Sequence, residues 1–438
     1  MHRNWFVLAL GLLAFAWIGA PAANADDGAL LQENQQLRER VDALESERDA
    51  LLNQEIEEYL DEADVAGAAQ AAGGDAFSRM DTSVDVTVVI QILTDNNAGS
   101  PGVMSADIDW TWTYHATDNM DIWLELNIAT VGSGFPSQFP GIGPTGSGVD
   151  DGLGVNANEN RASGGSNVNL YQGGMHMWGD SGESRWHLWI AKIDPRRHFL
   201  QNAFAHDEET QWLNDLFIST SANTWRTGNV AGGGTAGTAQ LGTIFRLEFG
   251  TDHNMWLTAG YWNGAGRWFD NGKGGLEWGL KHQVSGRDAN LRIFLSIDTA
   301  TNIDDLISAG LSWDWWVTEA IGLFVKANWN NADATTPAHI VEVDISIGAI
   351  WYGPMESRPN DQWGLAVGTN MPNDDVVGPG LDDEIVIETY YRYQVDAQNG
   401  KLYVTVGIQI ILDPAGAAAN FGGEDTALLV HLRVHGTF

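Results

Sequence analysis

The chain contains no cysteine. That excludes a disulfide framework and any thiolate metal centre. Positive charge is scarce: 22 Lys and Arg stand against 58 Asp and Glu, a formal net charge of −36. With no basic patch to neutralise phosphates, nucleic acid is excluded as a partner. A polybasic membrane-surface mode is excluded for the same reason. After an N-terminal run, no apolar stretch reaches the ~20 residues of a spanning helix. Neither a G-x-S-x-G elbow nor an H-E-x-x-H pair occurs, so the sequence offers no hydrolase or zincin signature and reads as a non-enzyme. No residue set calls for a cofactor or a metal. The run His206-Asp207-Glu208-Glu209 lacks regular ligand spacing and reads as a solvated loop.

The first 25 residues have the form of a secretory signal peptide. Arg3 precedes an apolar run from Trp5 to Ile18, and Ala23-Asn24-Ala25 supplies an A-x-A site. Cleavage there leaves Asp26 as the first mature residue. An exported chain without a helical span is either soluble and secreted or a closed β-barrel, which satisfies its backbone in lipid without long apolar runs.

Residues 26–62 read as a coiled-coil stalk, helical from residue 28. Leu30, Leu37, Leu44 and Leu51 recur every seven residues as a d seam, and Asn34, Val41, Arg48 and Glu55 fall at a. One narrow stripe cannot build a globular core, so the stripe implies self-association. Its length is about 50 Å at 1.5 Å per residue. Arg40-Val41-Asp42-Ala43-Leu44-Glu45 resembles a pattern of short trimeric coiled coils and favours a homotrimer over a dimer. Residues 63–80, with Ala66-Gly67-Ala68-Ala69 and Gly73-Gly74, read as a linker.

From residue 81 to 438 the apolar period changes to two. Sixteen strands are expected, at 84–93, 106–115, 120–131, 167–178, 184–193, 242–250, 254–262, 275–283, 290–298, 306–316, 320–329, 340–351, 361–368, 384–393, 401–410 and 426–438. The fold class is therefore all-β: a 16-stranded antiparallel transmembrane β-barrel behind an α-helical stalk. Links after even strands are mostly short and links after odd strands mostly long, with 132–166 and 194–241 the longest. Outer-membrane barrels alternate short periplasmic turns with long outer loops, and an even strand count puts both chain ends on the periplasmic side. The last strand sets Leu428, Val430, Leu432, Val434 and Phe438 on one face and His431, Arg433 and His435 on the other. Trp186, Trp278, Trp313, Trp315, Trp329 and Trp363 fall on outward positions, as in interfacial girdles. Gly173-Gly174 is the expected place for a bulge.

The same alternation turns Arg185, Arg246, Lys281, Arg292, Lys326, Arg392 and Arg433 inward. It also turns in Asp109, Glu125, Glu248, Glu277, Asp298, Glu342, Asp344, Glu384 and Glu388. Opposed rows of such charges govern pore selectivity, while pairs of them also stiffen a wall. Trp123, Trp189, Trp256, Trp262, Phe294 and Tyr390 face inward too. Flat rings suit sugar faces, and they also suit simple filling. The third long link is expected to fold into the lumen. Its residues Arg196, Arg197, Asp207, Glu208 and Glu209 join Arg185, Trp189, Arg246, Arg292, Glu388, Arg392 and Arg433 as the expected pore lining.

Two segments resemble the carbohydrate-selective porin (OprB-type) family. One runs Asp194-Pro195-Arg196-Arg197-His198-Phe199 and on through Gln201-Asn202-Ala203-Phe204, Asp207-Glu208-Glu209-Thr210-Gln211-Trp212 and Leu213-Asn214. The other is Glu388-Thr389-Tyr390-Tyr391-Arg392-Tyr393, then Gln409, Asp413-Pro414 and Leu432-Arg433. Asp413 departs from the family, where Asn is common. The resemblance implies an outer-membrane porin of a diderm bacterium, surrounded by lipid, that passes small solutes such as sugars or ions. The residues also leave two rival readings open. One is a general ion and nutrient pore without sugar selectivity. The other is a tether whose periplasmic stalk contacts the cell wall.

Overall fold

The computed structural model describes residues 77–94, 102–131, 167–207, 209–218, 240–263, 272–298, 306–332, 341–377, 382–395, 402–413 and 426–438. The leader, the heptads from Leu30 to Leu51, the linker up to residue 76, and Glu208 lie outside the described residues.

Sixteen strands close into one antiparallel barrel, each paired with its chain neighbours and β1 with β16. They are β1 (Met80–Thr94), β2 (Gly102–Thr117), β3 (Met120–Val131), β4 (Asn167–Ser181), β5 (Ser184–Ile193), β6 (Gln240–Phe249), β7 (Met255–Asn263) and β8 (Lys273–Val284). The second half comprises β9 (Arg287–Asp298), β10 (Leu306–Trp316), β11 (Ile321–Asn330), β12 (Val341–Tyr352), β13 (Gln362–Pro372), β14 (Glu384–Gln394), β15 (Leu402–Leu412) and β16 (Thr426–Thr437). Every expected strand is present, with ends shifted by a few residues. At the seam the register runs from Asp85 opposite Thr437 to Thr94 opposite Leu428. Val84 and Phe438 exchange both backbone bonds, at 3.0 and 2.8 Å.

The alternation along each strand explains why closure is favourable in lipid. In β13, Trp363, Leu365 and Val367 point outward and are exposed, while Gln362, Ala366 and Asn370 are buried inside. This inverts a soluble protein: the apolar row meets hydrocarbon and the polar row faces the lumen. Trp110, Trp329, Trp351 and Trp363 are all about two-fifths exposed on the outside. The short turns carry backbone that favours small residues. Ser285 and Gly286, both at positive φ, make the two-residue hairpin between β8 and β9.

Bulges interrupt the alternation at two places. Opposite β3, the register steps from Gln172 to Leu170, leaving Tyr171 as the extra residue. Tyr171 and Gln172 are consequently both buried. The expected bulge at Gly173-Gly174 is thus displaced to Tyr171. Gly174 has a separate role, since a Cβ there would collide with Ala191 on β5. In β12 a shift between Val341 and Val343 leaves Glu342 exposed, whereas Asp344 is buried. Glu342, expected to face inward, does not, because the extra residue breaks the two-residue period.

Ile347 sits mid-strand on β12 and is half exposed on the outer face. Ile347→Arg is expected to destabilise the barrel by about 2–4 kcal/mol, the range for a cation near the bilayer midplane. Denaturant unfolding in lipid vesicles checks this; an unchanged midpoint would contradict the assignment of this face to lipid.

Candidate functional site

After β5 the chain turns into the barrel, and residues 194–207 and 209–218 pack against the inner wall. The entry is built on Asp194. It caps a 3-10 turn (Pro195–Arg197) by accepting from the Arg196 backbone N–H at 2.9 Å. Its carboxylate also pairs with the Arg196 guanidinium at 2.8 Å and accepts from the Tyr171 hydroxyl at 2.6 Å. Burial pushes the Asp194 carboxyl up, but the Arg196 guanidinium and these hydrogen bonds hold it well below the usual carboxylate range. Arg197 then makes a forked bond to Glu125 on β3, at 2.9 and 2.8 Å.

Two aromatic anchors fix the loop's course. Phe199 packs on Trp262 and Phe294, with ring centres 5.5 and 5.1 Å away. The next residue, Leu200, takes a left-handed conformation at φ 47, and its N–H donates to Glu277 at 2.5 Å. Further along, Phe204 meets Trp316 edge-on, and Trp212 lies against Phe324 and Tyr390. Trp212 also donates from Nε1 to the Phe204 carbonyl at 2.7 Å. The segment ends in one helical turn, α1 (Asp215–Ile218).

Charged wall residues bind the loop backbone. Glu388 accepts from the N–H groups of Leu213 and Asn214 at 2.8 and 2.9 Å. Lys326 donates to the carbonyls of Ala205, Phe217 and Ile218 at 3.3, 3.1 and 3.1 Å. Arg392 donates to the Thr210 carbonyl at 2.9 Å, and Arg433 to that of Gln211 at 2.7 Å. A loop buried in a barrel must have its polar groups satisfied, and these charges do so.

The expected lining residues therefore separate into groups. Arg196, Arg197, Asp207 and Glu209 lie together along the remaining opening. Trp189 lines an adjoining cavity. Glu388, Arg392 and Arg433 are spent on the loop. Arg246 and Arg292 lie over Trp256, 4.7 and 5.6 Å from its ring, paired with Glu248 and Asp314. Arg185 sits beside the short β4–β5 turn, paired with Asp180. These wall arginines have local partners and do not line the main opening.

That opening is a cavity of about 510 Å³ between the loop and strands β1–β4. Asp85, Asp109, Glu125, Asp194, Asp207 and Glu209 face it, against Arg196 and Arg197. Each arginine is paired with a carboxylate, so negative charge is in excess. Beside it is a cavity of about 320 Å³ that includes Trp123, Gln172, His176, Trp189 and His198. His176 and Trp189 stack in parallel with ring centres 4.5 Å apart. Asp85, Tyr171 and His176 are lining residues that sequence reading missed. Asp85 is one acid among many, Tyr171 enters through the bulge, and His176 is distinguished only by the rings beside it.

The closed barrel of sixteen strands matches known architecture. Its fold aligns with the high-pH structure of Pseudomonas putida OprB at a TM-score of 0.62, with 14% identity, over 86% of this chain and 97% of that one. The fold is porin-like. The low-pH structure of the same protein aligns at a TM-score of 0.49 and 11% identity, over 86% of this chain and 97% of that one. A mutant of Rh. blastica porin aligns at 0.46 and 10%, over 82% of this chain and 100% of that one. Residues 295–438 match the family model for carbohydrate-selective porins of the OprB family. No curated protein matches the sequence.

Two expectations follow from the loop's anchoring. Glu388→Ala removes the acceptor of two buried N–H groups, each costing about 1–3 kcal/mol when unsatisfied. Single-channel recording is expected to show larger and noisier conductance; a trace identical to the parent would contradict the clamp. Burial also pushes His198 and His206 down to about 3. Their lowered values mean that the unfolded loop binds protons first, so its packing is fully stable above about pH 6.5. That stability falls as pH drops from there toward 3. Channel noise rising between pH 6.5 and 4 is the expected readout.

Proposed function

We propose that the protein is an outer-membrane porin: a passive, water-filled channel for small hydrophilic solutes, with cations favoured and carbohydrates among its permeants. The observation that carries this reading is the inward loop, which narrows a sixteen-strand barrel to an acid-lined opening of about 510 Å³. A barrel of this size encloses water, and rings of carboxylates select cations. The excess of Asp and Glu at this opening outweighs the wall arginines, whose charges are engaged with neighbours. Lipid surrounds the apolar exterior, and the alternation of short and long links supports a location for the stalk in the periplasm of a diderm cell. The heptads support a homotrimer.

Sugar passage rests on two supports. One is the family match over residues 295–438. The other is the Trp123, His176 and Trp189 group beside the opening, whose flat rings suit the apolar face of a pyranose.

Purified protein in planar bilayers is expected to open steady channels with a cation-selective reversal potential in a salt gradient. Asp207→Asn with Glu209→Gln should move that potential toward anions. A protein that never conducts would overturn the porin reading. In liposome swelling, sugars should enter faster than neutral solutes of equal size, and Trp189→Ala should remove the difference. Equal rates in the parent protein would reduce the channel to a general pore.

The leucine seam at Leu30, Leu37, Leu44 and Leu51 favours a second role as a tether to the cell wall. Deleting residues 28–62 is expected to leave conduction intact while envelopes detach. Intact envelopes after deletion would remove that role.

A further inference from the structure

We propose that Asp85, Glu209 and His435 form a divalent transition-metal site, best suited to zinc, that ties the inward loop to the barrel seam at the edge of the opening. The three residues come from separate segments: β1, the loop, and β16. One ligand atom from each lies within 4.8 Å of the others. The Glu209 carboxylate is already 3.5 Å from His435 Nδ1. Tetrahedral zinc, with bonds of ~2.0–2.2 Å to nitrogen and oxygen, sets its ligands roughly 3.3–3.6 Å apart. Small side-chain rotations of Asp85 and Glu209 close the remaining gap.

The donor set also selects the ion. One imidazole with two carboxylates suits zinc and its first-row neighbours better than magnesium or calcium, which take oxygen alone. Three protein ligands leave a fourth position for water, and Asp85 and Glu209 both face the cavity from which an ion and its water would arrive. The surroundings supply ordering contacts. His435 is 5% exposed, Thr437 donates to Asp85 at 2.5 Å, and an ion at His435 Nδ1 would displace the Thr87 hydroxyl that now lies 2.9 Å from that nitrogen. Hydrogen-bonded groups behind the ligands are a regular feature of built metal sites. Other charges near the imidazole are Asp207, Arg392 and Arg433. With Asp85 and Glu209, three carboxylates stand against the two guanidiniums, so the local excess is negative.

A bound ion would cross-link Glu209 to β1 and β16 and neutralise two carboxylates at the opening. The consequence for conduction rests on the porin reading; binding does not. Calorimetric titration of zinc chloride into the detergent-solubilised full chain is expected to show a micromolar site, weakened at least tenfold by His435→Ala and by Glu209→Gln. In planar bilayers, zinc should lower conductance at concentrations at least tenfold below magnesium, and EDTA should reverse it. Magnesium acting at the same concentration as zinc, or zinc binding unchanged in Glu209→Gln, overturns the proposal. Because His435 lies on the closing strand, Glu209→Gln, on the loop, carries the test if the His435 variant fails to insert. A protein that binds zinc yet never conducts overturns the porin reading and leaves the site standing. One that conducts but lacks variant-sensitive zinc binding overturns the site alone.

Discussion

Pairing between β1 and β16 is the interaction on which everything else depends. Backbone polar groups in hydrocarbon must be satisfied by the protein, and a sheet achieves this only by closing. The two bonds between Val84 and Phe438 and the unbroken register from Asp85–Thr437 to Thr94–Leu428 remove the free edges. Once the sheet is closed, each strand has a wet side and a lipid side. The two-residue period then dictates which residue type stands where.

Closure creates a second problem, a wide lumen, and the loop solves it at a cost. Residues 194–207 and 209–218 leave bulk water, so their amides and carbonyls need partners. Aromatic anchors such as Phe199 and Trp212 supply apolar contact, while Glu388, Lys326, Arg392 and Arg433 satisfy the backbone. Ionic groups bonded to backbone make strong, directional contacts. The wall charges thus serve mainly to hold a shape. In the proposed channel, selectivity falls to carboxylates on the uncovered side, from Asp85 to Glu209.

This division explains an asymmetry in the lumen. Strands β5 to β16 carry most of the loop's attachments, Glu125, Tyr171 and Gln172 on β3 and β4 hold its entry, and the opening lies against β1 to β4. Arg197 and Glu125 close the boundary between these regions at one end. At the other end, Glu209 approaches the β1–β16 seam beside His435. The opening is therefore bordered on both sides by contacts between loop and wall.

Strand number, strand order and the face of most residues were readable from the sequence, because period-two alternation is local. Trp363, Leu365 and Val367 declare their side of β13 without help from any other strand. The alternation failed where an extra residue interrupted it, at Tyr171 and Glu342, since a bulge depends on the partner strand. The candidate site was half legible. Arg392 and Glu388 could be placed inside, yet only the folded loop shows that they meet Thr210, Leu213 and Asn214, 174 to 182 residues away in the chain. The sequence by itself determined a closed barrel with a polar inside, through repeated local choices of residue type. Tertiary structure alone decided which inward charges face water and which are consumed, because that depends on where one long loop comes to rest.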